Sequence, residues 1–132
     1  LLVKQTLEGG ISTFTRKVSD SYTRYFNTKY GRVGSLFQGK FKAKLVENDE
    51  YLLQVSKYIH RNPFPLPMWE SRLYPFSSYG YYLSGEKHPF CDTGFISAYF
   101  SRINPNLNYQ SFVEESEVSD PALFSLLIDA DD

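Results

Sequence analysis

The sequence predicts a chain of mixed helix and strand, and three stretches carry that prediction. Apolar residues recur at three- and four-residue steps from Ile11 to Phe26, a second run from Asn48 to Asn62 has explicit start and stop signals, and lysines alternate with apolar residues from Lys40 to Leu45. The first two periods are helical and the third is that of a strand. The 132 residues suit one domain with a modest core, rich in aromatic side chains (11 Tyr and 11 Phe). No apolar run reaches the roughly 18 residues of a membrane span, and the N-terminus has neither the basic start nor the cleavage site of a signal peptide. A single cysteine, Cys91, excludes an internal disulfide and fits a cytoplasmic location.

Taken in order, Leu1 to Gln5 is short and apolar and reads as the tail of a strand ended by Gly9 and Gly10. Ser12 can cap a helix over about residues 12–29, with Ile11, Phe14, Val18, Tyr22, Tyr25 and Phe26 on one face and Arg16, Lys17, Asp20 and Arg24 on the other. That charged face reads either as ordinary solvated surface or as a contact for an anion. Gly31 and Gly34 mark a turn. The alternation that follows puts Lys40, Lys42 and Lys44 on one face of a strand, about 7 Å apart, near the spacing of successive phosphates. The same lysines could instead protect an edge strand from aggregation.

The central helix is specified most fully. Asn48 can cap it, Asp49 and Glu50 put negative charge in its first turn, and Pro63 cannot continue it. Leu52, Val55 and Ile59 form the expected core stripe, while Tyr58 and Asn62 lie one turn apart along its edge. His60 falls about 200° around the helix from Tyr58 and is expected to be a packing or surface residue. Pro63, Pro65 and Pro67 then predict an extended wrap anchored by Met68 and Trp69, followed by a short helix over 76–83 that is capped by Ser77 or Ser78 and ends near Gly85. Residues 86–132 form an acidic segment with helical candidates at 93–101, 109–115 and 121–128. They read as a wrap around the first part or as a small appended unit. Domain boundaries are expected at 1–85 and 86–132.

The formal net charge of −1 conceals an asymmetry. Residues 1–62 hold eleven Lys/Arg against five Asp/Glu, and residues 63–132 hold three against ten. A basic first half predicts an anionic partner, with Arg24, Lys40, Lys42, Lys44 and Lys57 as the contact residues.

Four motifs carry a resemblance: SYTRYFN at 21–27, GSLFQGKFKAKLVENDEYL at 34–52, YIHRNP at 58–63 and PFSSY at 75–79. In this order and spacing they resemble the REP-associated tyrosine transposases, members of the HUH single-strand DNA transposases, over roughly residues 1–84. The resemblance implies an α+β fold, a ferredoxin-like domain in which an antiparallel sheet has helices on one face, here without its N-terminal part and followed by the helical tail. It implies that Tyr58 is the nucleophile and that Asn62 helps hold a divalent metal, although Asn before Pro is also a common helix end. It further implies single-stranded or hairpin DNA as partner, in a bacterial cytoplasm with the chromosome.

A phenol of pKa near 10 attacks a phosphodiester slowly at neutral pH, so the complete enzyme would need magnesium or manganese to polarise the phosphate. The family's His-hydrophobic-His ligand pair is absent, as if the chain began directly after it. The chain alone is thus expected to hold no metal tightly. With two recognisable strands the sheet would need completion, for which a homodimer is one route. The alternatives to a transposase are a catalytically inactive DNA-binding remnant and a module that binds no DNA.

Overall fold

In a computed structural model of the chain, residues 1–63, 72–103 and 108–114 are described. They form two compact units, Leu1–Lys44 and Leu45–Asp132. The first contains α1 (Gly10–Tyr30); the second contains α2 (Asp49–Arg61), α3 (Tyr79–Ser84), α4 (Gly94–Ile103) and α5 (Tyr109–Glu114).

The expected α+β, ferredoxin-like sheet is not what the chain forms. Among the described residues there is no strand, and the only β pairing is an isolated antiparallel bridge between His88 and Cys91. The physical reason is the lack of a partner for either candidate segment. A strand's N–H and C=O groups need a neighbouring strand, and two short segments are too few to supply a stable sheet. Alternation over 40–45 therefore sorts nothing: Phe41 and Leu45 are exposed along with the three lysines, Leu45 at 76%. Leu1, expected in a strand, is 97% exposed.

Helix α1 is capped three residues earlier than expected, by Gly9 and not by Ser12. Gly9 adopts the left-handed conformation (φ 67°) at the cap, and the Gln5 side-chain oxygen accepts from the Ile11 N–H at 3.3 Å. It ends at Gly31, also left-handed, whose N–H reaches the Asn27 carbonyl. No residue of this helix is buried.

Helix α2 follows its signals. Asn48 is extended and its side chain accepts from the Tyr51 N–H at 2.8 Å, while Asn62 closes the other end. Helix α3 begins after Ser78, later than the expected residue 76 and without a cap bond from the Ser78 side chain, and stops at left-handed Gly85, near where it was expected to end. The Asn108 side chain caps α5 by accepting from the Ser111 N–H at 2.8 Å. Leu53, Tyr79, Ile96, Tyr109 and Val113 form the core, with Leu52, Tyr82, Leu83, Tyr99, Phe100 and Phe112 packed around them. Of the two readings of the C-terminal segment, its described helices α4 and α5 contribute to the core built on α2. The wrap with Met68 and Trp69 and the helix at 121–128 lie outside the described residues.

Candidate functional site

In the first unit Arg24, Lys40, Lys42 and Lys44 are all exposed. Residues 1–44 hold nine Lys/Arg against two Asp/Glu, so positive charge is concentrated further than a division at residue 62 suggests. The turn after α1 is tied back onto the helix. The Asn27 side-chain amide donates to the Gly34 carbonyl at 2.8 Å, and the Ser35 hydroxyl donates to the Phe37 carbonyl at 2.6 Å. These bonds accompany a return of the chain that puts the Phe37 ring 6.3 Å from that of Tyr22. Tyr22, Tyr25 and Phe37 are about half exposed, at 49%, 57% and 51%.

In the second unit α2 is rotated from the expected orientation. Its buried residues are Leu53, Ser56, Lys57 and His60, whereas Leu52, Val55 and Ile59 are only half-buried. Lys57, expected on an exposed cationic surface, is placed inside, its ammonium 5.1 Å from the Phe112 ring centre. Burial first, and the charge of Arg61 second, draw its pKa below the usual lysine value. Lys57 is thus not displayed with the other four cations. Tyr58 is half-buried and Asn62 is exposed, one helical turn apart as the spacing requires. Among the described residues no three His, Cys, Asp or Glu come together as a metal site, and Asn62 brings one neutral oxygen. This donor set does not fit magnesium or manganese, which take about six oxygen ligands, so no step through a metal follows from it.

The most constrained chemistry lies on the opposite side of α2. His60 is 3% exposed and sits among the rings of Tyr79, Tyr82 and Tyr109. The Ser56 hydroxyl donates to the Leu53 carbonyl at 2.7 Å and accepts from the Tyr109 hydroxyl at 3.1 Å. With that hydrogen in use, the Tyr109 oxygen can only accept from His60 Nδ1, 2.6 Å away. A neutral ring then has Nε2 free to accept from the Ser78 hydroxyl at 2.8 Å. Burial keeps the ring neutral by lowering its pKa to about 4. The same burial raises the pKa of Tyr109, and raises that of Tyr82 to about 12.

A second polar cluster closes the same core. Arg72 forms a bidentate pair with Glu114, one bond being 2.7 Å from Nε, and the Tyr79 hydroxyl donates to Glu114 at 2.9 Å. The hydrogen bond from Arg72 is the main reason that the Glu114 carboxyl ionises below its usual pKa.

The sequence predicts His60 as a packing or surface residue and Ser78 as a possible helix cap, and points to no role for Ser56 or Tyr109. The signal present in the sequence was the spacing of Ser56 and His60, one turn apart on the same face as Leu53. Their partners are 18 to 53 residues away and have no local signature. Among known proteins, no family, curated sequence or solved structure matches the chain.

Proposed function

We propose that the chain is a transposase-like protein that binds single-stranded or hairpin DNA through residues 1–44. The observation that carries this reading is the separation of charge: nine Lys/Arg against two Asp/Glu in the first unit, five against thirteen in residues 45–132. A phosphate backbone is the polyanion that such a surface would attract, and release of its counterions would drive binding. Exposed Lys40, Lys42, Lys44 and Arg24 are the proposed contacts. Lys57 contributes to packing against Phe112 instead.

Strand cleavage and transfer through Tyr58 belong to this proposal only for a complete enzyme that has the histidine pair and magnesium or manganese. The test is fluorescence anisotropy with a labelled single-stranded hairpin over a range of salt. Replacing Lys40, Lys42 and Lys44 with Ala should make the logarithmic salt slope shallower by about 2, at about 0.7 for each phosphate that is no longer neutralised. An unchanged slope would exclude this surface. Metal-dependent nicking that disappears in Tyr58→Phe would show that the chain cuts DNA without the histidines.

A further inference from the structure

The aromatic residues of the first unit are arranged in a row, and most of the row is open to solvent. Phe37 stands 6.3 Å from Tyr22, Tyr22 6.1 Å from Phe26, and Phe26 4.4 Å from Tyr30, with Tyr25 6.3 Å to the side of Tyr22. Cations border the row: Lys29 Nζ is 5.5 Å and 5.4 Å from the centres of Tyr25 and Tyr30, and the Arg32 guanidinium is 5.8 Å from that of Phe26. A long helix with no buried side chain and half-exposed rings leaves a large apolar surface in water, which is unfavourable unless something covers it. The excess of positive charge around these rings selects a flat, apolar and polyanionic occupant.

We propose that this row is a stacking platform for the unpaired bases of single-stranded DNA, with Tyr22 and Phe37 at its centre; the proposal rests on the DNA-binding reading above. Bases in a duplex already stack on one another and cannot reach a side chain, whereas unpaired bases stack on aromatic rings whatever their sequence. The lysines would then supply attraction and salt dependence, and the rings the preference for an open strand. Lys29 and Arg32, held over the rings of Tyr25, Tyr30 and Phe26, would pair with phosphates of the bound strand.

The test uses the full chain with labelled oligothymidine, its duplex with oligoadenine, and a strand carrying 2-aminopurine, whose fluorescence falls on stacking. Tyr22→Leu and Phe37→Leu should each weaken single-strand binding about tenfold and restore 2-aminopurine fluorescence, while duplex affinity and the salt slope stay unchanged. Tyr22→Trp should retain both. Phe37 lies outside any helix, so its exchange reads stacking even if Tyr22→Leu disturbs α1. Equal affinity for single strand and duplex, with a steep salt slope, would overturn the platform and leave the DNA-binding reading standing. Absence of binding to either would overturn both. A dimer that Tyr22→Leu converts to monomer, without loss of single-strand affinity, would assign the row to a second copy of the chain and overturn the proposal.

Discussion

Helices α1 and α2 both carry apolar residues at three- and four-residue steps, yet they end in opposite conditions. The 21 residues of α1 include none that is buried, and the 13 of α2 bury Leu53, Ser56, Lys57 and His60. Only one of those four is apolar. The difference shows that an apolar stripe proposes a buried face, whereas the partners at hand decide which face is buried. Around α2, Tyr109, Ser78 and Phe112 offer polar atoms and a ring face that match Ser56, His60 and Lys57. A satisfied polar face can enter a core that an unpaired one cannot. Within the first unit the aromatic side of α1 meets Phe37 and Arg32 and stays largely exposed.

The comparison is broken most directly by emptying the core of the second unit. Tyr79 has no exposed surface and donates to Glu114, so Tyr79→Ala should lower the stability of that unit by about 3–5 kcal/mol. Amide hydrogen exchange would read this as lost protection in α2 and α5, with the protection of α1 unchanged. Equal loss in both units would mean that they unfold together.

Acid should have the next largest effect. The His60 pKa is lowered in the folded state, so the unfolded chain binds the extra proton first, and stability falls as pH drops from about 6.5 toward about 4. The separation of the two values corresponds to about 3 kcal/mol, all present above pH 6.5 and absent below pH 4. Glu114, whose pKa is also lowered, adds a loss in the same direction at more acidic pH. Urea unfolding across this range should show the slope for the native chain and a flatter one for His60→Gln. A native slope preserved in that variant would place the effect elsewhere.

Asn48→Ala removes one N-cap hydrogen bond and should lower α2 stability by about 1 kcal/mol, measured by the same exchange experiment. The smallest change is expected at α1. Tyr22→Leu should alter stability by no more than about 0.5 kcal/mol, because its ring is half exposed and leaves no cavity. A loss of several kcal/mol there would show that the aromatic row is held against something and is not open.

Several local signals are legible in the residues, although Gly9 and not Ser12 caps α1. Asn48, Asp49, Glu50 and Pro63 bound α2, Gly31 ends α1, and Gly85 ends α3, because each acts within one turn of the residue that it affects. Non-local features were not read. Alternation from Lys40 to Leu45 has the strand period, but a strand exists only when a second one pairs with it, and no residue within that run reports the partner's absence. The same limit explains Lys57, whose burial depends on Phe112, and His60, whose two ring nitrogens are satisfied by Ser78 and Tyr109. Of the candidate site, the exposure of Arg24, Lys40, Lys42 and Lys44 followed from charge alone.

The chain of hydrogen bonds from Ser78 through His60, Tyr109 and Ser56 to the Leu53 carbonyl runs in one direction, since each group gives its hydrogen to the next. Reversing it would require all four hydrogens to turn together and would still leave the Leu53 carbonyl without the Ser56 hydrogen. The direction therefore works as a key between helices. A one-residue slip of α5 would offer Asn108 or Gln110 to His60 in place of a phenol, and an apolar neighbour could tolerate such a slip more readily than this chain can. The alignment of α2, α3 and α5 is accordingly written in polar atoms at the centre of an apolar core, where a mismatch is most unfavourable.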